Sequence, residues 1–284
     1  MEKSFWKELW LLLLVVFAGL LIVGIFFVVE IVFGVRSGML DVTNLHILQW
    51  MQTIFIMLLP PMIWYKWRIK KDPICDFGFK SINWKFVILA AIYIVISLPG
   101  MELLTLWGEI IPWPSSLKES FDQAALDNYN VLCKLMSPSG ILGWIEIVAL
   151  VSIGTAIGEE TMFRGGLLKC FSLTKLNKHW TACIIGLIFA IIHFEPAGFI
   201  VRWLMGSILC YFIYWSGSIW PSIVAHALNN LAAIIEFKCF NIGDPSDESA
   251  NELTFGYGVS IASIVLAFAF LYYMYKNQST KQND

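Results

Sequence analysis

The chain has 284 residues and a formal net charge of −2 at pH 7, and 58% of its residues are hydrophobic whereas only 14% are charged. A soluble globular domain carries about a quarter of its residues as charged side chains, so a fold this apolar could not cover itself in water. No basic stripe with interleaved aromatic residues is present, which excludes a nucleic-acid partner. The composition therefore predicts a protein whose surroundings are the lipid bilayer.

Eight apolar segments are long enough to cross a bilayer, whose hydrocarbon core needs about 20 helical residues. The first begins at Leu9 and is longer than the roughly 7–15 apolar residues of a signal peptide, so we expect a transmembrane helix. Together they predict an all-α fold, a polytopic membrane helical bundle of about eight transmembrane helices. The predicted segments are 9–33, 45–65, 84–107, 141–172, 179–200, 201–217, 219–238 and 257–275.

The distribution of Lys and Arg predicts the orientation, because cytoplasmic loops of membrane proteins are enriched in these residues. With the N-terminus inside, most of the 19 Lys and Arg residues fall on the cytoplasmic side, and both termini are predicted to be cytoplasmic. The two longest outside loops, Gly108–Gly140 and Cys239–Phe255, are acidic, in agreement with this topology. The predicted outside set is Arg36, Lys118, Lys134, Arg202 and Lys238.

The fourth segment carries the densest set of ionisable residues, and such residues are costly inside a membrane unless they have a partner or a function. Glu160 and Arg164 are four residues apart, so they can pair along one face of a helix. The adjacent Glu159 points about 100° away and is therefore left for another role. This interpretation requires the fourth helix to continue past Arg164 to about Phe171.

Two further segments contribute polar residues at helical spacing. Phe189 and His193 share one face of the fifth segment, and His226 and Asn230 share one face of the seventh. Either histidine alone would be interpreted as a packed core residue. Their occurrence together with Glu159 favours a common functional site instead.

These three patterns, Glu-Glu-x-x-x-Arg, Phe-x-x-x-His and His-x-x-x-Asn, lie on separate apolar segments in this order. In this the chain resembles the CPBP family, the CAAX protease and bacteriocin-processing family of intramembrane proteases, which includes the type II CAAX prenyl endopeptidases. The resemblance divides the chain into residues 1–139 (helices one to three and an outside loop), 140–238 (a catalytic core of helices four to seven) and 239–284 (an outside loop and the last helix).

The resemblance implies a bundle that encloses a catalytic cavity and hydrolyses peptide bonds of membrane-associated or lipid-modified substrates. Glu159 and His193 would activate the attacking water, and His226 and Asn230 would bind the oxyanion. Glu160, Arg164 and Phe189 would support these residues. The implied partners are a peptide or protein substrate and the bilayer itself, with an integral, bacterial inner-membrane localisation as the expectation.

Metal dependence stays open at this point, because members of the family have been described both as metalloproteases and as glutamate proteases. A zinc ion would need Glu159, His193 and His226 as ligands, with Asn230 as a poor fourth, and no HExxH motif is present. These ligand preferences favour an enzyme that requires no cofactor.

Two other functions fit the same residues. The chain could be a non-catalytic membrane binding protein or a bacteriocin-immunity-type protein that keeps the fold, or a transporter that uses the buried charges. The absence of internal repeats argues against the transporter. Three complete motifs favour the protease over the binding protein. The substrate, any involvement of prenylation and the oligomeric state cannot be inferred from the sequence.

Overall fold

The computed structural model describes residues 4–29, 41–80, 82–240 and 253–278. The first three long helices are α1 (Phe5–Val29), α2 (Val42–Ile69) and α3 (Trp84–Glu109), with a single helical turn at Pro73–Asp76 between α2 and α3. The end of the first predicted segment, residues 30–33, lies outside the described residues, as do Arg36 and most of the loop Cys239–Phe255.

Six more helices follow along the chain. They are α4 (Ser115–Leu135), α5 (Gly140–Phe171), α6 (Lys178–Ile192), α7 (Phe199–Ser216), α8 (Trp220–Phe240) and α9 (Gly256–Lys276). Among the described residues, seven helices are long and apolar enough to span a membrane, namely α1, α2, α3, α5, α7, α8 and α9. The helix α6 is apolar but shorter. The part of the chain that the structure describes contains no β-strand, so the prediction of an all-α polytopic membrane bundle is confirmed.

Helix ends follow from local sequence. The Asn177 side chain accepts hydrogen bonds from the backbone N–H groups of His179 and Trp180 and so begins α6, since an asparagine here satisfies donors that lack a helical partner. At the same end of this pair of helices, α7 ends at Ser216 and is capped by Gly217 with φ of 69°, a backbone conformation that favours glycine.

Two of the predicted boundaries need correction. The fifth segment was predicted to run to residue 200, but α6 ends at Ile192, and Phe194 has a positive φ of 48°. Pro196 cannot continue a helix, which explains the break. The predicted outside loop Gly108–Gly140 contains the helix α4, in which no residue is buried. Because α4 has a polar face, it lacks the continuous apolar run of a membrane span and was not predicted as a helix.

The helix α5 is continuous through Arg164 to Phe171, as the proposed site requires. Its hydrogen bonding widens to a π-helical pattern at Val148–Gly154 and at Thr161–Leu167, on either side of the regular α-helical segment Thr155–Glu160. Such widened turns are rare and occur frequently at functional sites. Glu159 and Glu160 lie at the end of the regular segment between them.

Close contact between small residues holds α6 against α7. Apolar surface alone does not drive helices together in lipid, so tight packing and hydrogen bonds must do so. A Cβ atom on Gly186 would lie 2.3 Å from Ser207 Oγ and 2.5 Å from the Trp203 carbonyl oxygen, and one on Gly206 would lie 2.9 Å from Gly186 Cα. Only glycine fits at this crossing. The close contact fixes the position of α6 relative to α7, and with it the position of His193 at the end of α6.

Candidate active site

The centre of the site is a buried ion pair on α5. Arg164 Nη1 donates to Glu160 Oε1 over 2.8 Å, and both side chains are fully buried. Arg164 Nη2 donates to the Gly206 carbonyl of α7 over 2.6 Å. Because arginine stays charged in proteins, Glu160 is an ionised carboxylate that only accepts hydrogen bonds. The pairing predicted from the four-residue spacing is present.

The same carboxylate holds His226 of α8. His226 Nδ1 lies 2.8 Å from Glu160 Oε1, the oxygen that also accepts from Arg164. Since an ionised carboxylate cannot donate, we assign the proton of this hydrogen bond to Nδ1. The imidazole ring is thereby oriented with Nε2 toward Glu159, whose Oε2 is 3.6 Å away.

Glu159 and Glu160 therefore reach one histidine from two sides. Glu160 is completely buried, whereas the Glu159 side chain is 14% exposed. Glu159 Oε2 has no hydrogen-bond partner among the described residues although the atom itself is buried. A buried carboxylate oxygen of this kind needs a donor, and a water molecule or a substrate group would supply it. Glu159 Oε2 can therefore accept a hydrogen bond from a group that enters the site.

His193 lies directly after the end of α6 and is half-buried. Its Nδ1 is 2.6 Å from the Phe189 carbonyl, which can only accept, so Nδ1 carries a proton and Nε2 has the lone pair when the ring is neutral. The loop that follows is held by an ion pair between Glu195 and Arg202 of α7.

The Phe189 ring brings the two histidines into one cluster. Its centroid lies 4.7 Å from that of His193 and 5.7 Å from that of His226. The Arg164 guanidinium lies 5.3 Å from the same ring, at a distance typical of a cation–π contact. Phe189 therefore contacts both imidazoles and the guanidinium of the buried ion pair.

Asn230 lies one helical turn from His226 on α8. Its Nδ2 donates to the Val151 carbonyl of α5 over 3.3 Å, and the amide group retains a second N–H donor. Nearby, Ser152 Oγ donates to the Ala227 carbonyl over 2.6 Å. These two bonds hold α8 against the first widened turn of α5, so Asn230 is placed next to the cluster but contacts α5.

Two parts of the site were not predicted from the sequence. One is the Gly206 carbonyl, which accepts a hydrogen bond from Arg164. The sequence shows only a glycine in an apolar segment, and the residue type does not reveal that its backbone carbonyl binds a side chain. The other is α4, whose Phe121 ring lies 5.0 Å from the ring of Phe194, the residue after His193. The amphipathic pattern of α4 was the available signal.

Two side chains from other helices hold the end of α4 against the bundle. Lys238 of α8 donates to the carbonyls of Met136 and Pro138 over 2.6 and 2.8 Å. His46 of α2 lies 3.0 Å from the Leu135 carbonyl through Nε2 and 2.6 Å from Glu146 Oε1 through Nδ1. Because the carbonyl must receive a proton from Nε2, the contact with Glu146 needs a second proton on one of the two groups.

A metal ion was considered for Glu159, His193 and His226. Among the described residues, no three His, Cys, Asp or Glu side chains are arranged so that they could hold one metal ion. The reaction proposed below therefore contains no metal-dependent step. The expectation that no cofactor is required stays a prediction.

Comparison with known families shows which proteins this part of the chain resembles. Residues 141–232 match the family described as Type II CAAX prenyl endopeptidase Rce1-like. The match covers about a third of the chain, from the start of α5 into α8, and includes every candidate site residue. No curated protein and no solved structure matches the chain. The resemblance to this class of intramembrane protease is confirmed over these residues, in a multi-pass membrane protein.

Proposed function

We propose that the protein is an intramembrane endopeptidase that hydrolyses peptide bonds of membrane-associated or lipid-modified substrates. The observation that carries this proposal is the convergence of Glu159 and His226 across 3.6 Å, with the Glu159 oxygen left without a partner among the described residues. The family match over residues 141–232 supports it.

In the proposed reaction, Glu159 and His193 orient and activate a water molecule. The water oxygen attacks the substrate carbonyl carbon, and Glu159 accepts the proton that the water loses. The resulting oxyanion accepts hydrogen bonds from His226 Nε2–H and from the second N–H of the Asn230 amide. When the C–N bond breaks, Glu159 returns its proton to the leaving amine nitrogen, which yields a carboxylic acid and an amine.

Glu160 and Arg164 would act through His226 in this mechanism. With Nδ1 donating to Glu160, His226 donates from Nε2 in this mechanism as an imidazolium that carries a proton on each ring nitrogen. The fully buried ion pair also fixes the ring orientation, so little reorganisation is needed as charge develops. Glu160 and Arg164 are thus positioning residues rather than groups that contact substrate.

The test is cleavage of a fluorogenic peptide by the full chain reconstituted in vesicles, with CAAX-type prenylated and unprenylated transmembrane peptides as substrates. We expect Glu159→Gln to reduce kcat by about 100-fold or more, the range in which a positioned acid–base group contributes. Glu119→Gln on the exposed surface of α4 is the matched control and should cleave like the wild type. Equal rates for Glu159→Gln and wild type would contradict the proposal.

The alternative of a non-catalytic membrane binding protein predicts a different result for the same variant. A membrane binding or immunity-type protein would retain its partner and its phenotype in Glu159→Gln and would cleave neither peptide. Assays of the wild type with and without a strong zinc chelator decide between glutamate and metal chemistry. Loss of cleavage with the chelator, restored by added zinc, would show that the enzyme needs a metal.

A further inference from the structure

A half-enclosed cleft of about 420 Å³ lies between α3, α7 and α9, away from the catalytic residues. Its walls are almost entirely apolar. The two serine hydroxyls among them donate to backbone carbonyls, Ser97 to Ile94 and Ser207 to Trp203. Neither hydroxyl proton is left to bind a polar ligand. The cleft is therefore suited to hydrocarbon.

The shape of the cleft fits one alkyl chain. Its lining residues extend from Tyr93 to Leu104 on α3 and from Ile264 to Tyr275 on α9, which is ~16 Å along each helix. The volume of about 420 Å³ over this length corresponds to a mean cross-section of ~26 Å². Packed hydrocarbon atoms are ~4 Å apart, so a single chain requires ~16–20 Å² and fits within this cross-section.

One end of the cleft is aromatic and basic. The start of α3 and the ends of α7 and α9 meet there, because Asn83 Nδ2 donates to the Ser216 carbonyl and the Trp215 and Tyr275 rings lie 6.4 Å apart. Lys276 lies over the Tyr272 ring at 5.4 Å. Tyrosine and tryptophan are typical of the boundary between hydrocarbon and headgroups.

The charge at this end is positive. The chain segments around this end, residues 82–93, 208–222 and 264–278, contain Lys85 and Lys276 but no Asp or Glu. Lys85 and Lys276 lie at the aromatic end and are exposed. A ligand with a hydrocarbon chain and a negatively charged head fits this combination of apolar cleft and basic mouth.

We propose that the cleft binds one acyl chain of an anionic phospholipid, with its headgroup at Lys276 and Lys85. The lipid would also support the active site. Met205 lines the cleft, and the next residue, Gly206, accepts the hydrogen bond from Arg164. An occupied cleft keeps α7 in the position that this bond requires.

The experiment uses the full chain in vesicles of phosphatidylglycerol or of phosphatidylcholine. Each contains a trace of the same phospholipid with a photoactivatable group in the middle of one acyl chain, and the labelled residues are mapped by mass spectrometry. We expect labels on lining residues of α3, α7 and α9 and more label with phosphatidylglycerol. Equal labelling by the two lipids, or labels spread evenly over exposed helix faces, would overturn the proposal.

Two substitutions on α9 form a matched pair. Ala267→Phe fills the cleft, whereas Ala269→Phe places the same side chain on an exposed face of the helix. We expect only Ala267→Phe to lose the labels in the cleft, and unchanged labelling would contradict the proposal. Thermal unfolding shows whether this variant folds; if it does not, the two-lipid comparison and Lys276→Gln provide the test.

Lys276→Gln addresses the headgroup. Removal of one lysine near an anionic surface should reduce the preference for phosphatidylglycerol by about fivefold. A last experiment adds a prenylated peptide that carries the same photoactivatable group as a competitor of the lipid. If it displaces the lipid labels from the cleft, the cleft is a substrate site and the lipid proposal is wrong.

Discussion

His226 is held through both ring nitrogens, and this explains why the site contains two adjacent glutamates. One Glu160 oxygen, Oε1, accepts from both Arg164 and His226, while Glu159 faces the other nitrogen of the imidazole. The sequence predicted the pair of Glu160 with Arg164 but assigned that carboxylate to the arginine alone. A carboxylate oxygen can accept two hydrogen bonds, and residue spacing along α5 contains no information on a partner from α8.

The buried ion pair should be costly to break from one side. We expect Arg164→Met to destabilise the protein by about 3–5 kcal/mol, because it leaves the fully buried Glu160 charge without its partner. The double variant Glu160→Gln/Arg164→Met should recover part of this loss. Thermal unfolding in detergent measures both, and a single variant as stable as the wild type would contradict the pairing.

Asn230 allows a separate test of the proposed oxyanion donors. We expect Asn230→Ala to lower kcat by about 100- to 1000-fold, the effect of removing one such donor, with little change in KM. The neighbouring Asn229→Ala is the control, since it removes the same amide from an adjacent position of α8 that has no proposed role, whereas Asn230 donates to the Val151 carbonyl beside the site. A loss confined to KM would indicate a role in substrate binding.

Among the elements, the contact of α6 with α7 determines where His193 lies. We expect Gly186→Leu to destabilise the bundle by about 1–3 kcal/mol, since a side chain there collides with Ser207 and the Trp203 carbonyl. Gly24→Leu is the control, because a Cβ atom on Gly24 has no neighbour within 4 Å among the described residues. Thermal unfolding compares the two variants, and equal stability would show that α6 and α7 can separate without cost.

Element boundaries were predictable to different degrees. The long apolar segments predicted the membrane helices. Glu195–Pro196, just after His193, predicted a break within the fifth segment, and the end of α6 at Ile192 confirms it. The helix α4 was missed as a helix because it contacts the bundle through a few side chains, such as Phe121 and Tyr129, and buries none of its residues. Contacts of this kind depend on the position of other helices.

At the scale of the whole molecule, the predicted orientation can be tested with two native cysteines. Cys75 and Cys239 are both exposed, and the predicted topology places them on opposite sides of the membrane. In intact cells that carry single-cysteine variants, a membrane-impermeant maleimide should label Cys239 and leave Cys75 unlabelled until the membrane is opened. The reverse pattern would show that the chain is inverted.

In the proposed mechanism, the position of Glu159 along α5 limits where a substrate can be cut. Glu159 is ~28 Å from the helix start at Gly140 but only ~18 Å from its end at Phe171, at ~1.5 Å per residue. The reactive group is therefore off-centre, nearer the lysine-rich end of the helix. A scissile bond at the middle of a long transmembrane segment would have to shift along its axis to reach Glu159. A scissile bond close to one membrane surface would reach Glu159 if a short stretch of the substrate helix unwound. The depth of the scissile bond in the membrane would therefore decide which substrates are cut.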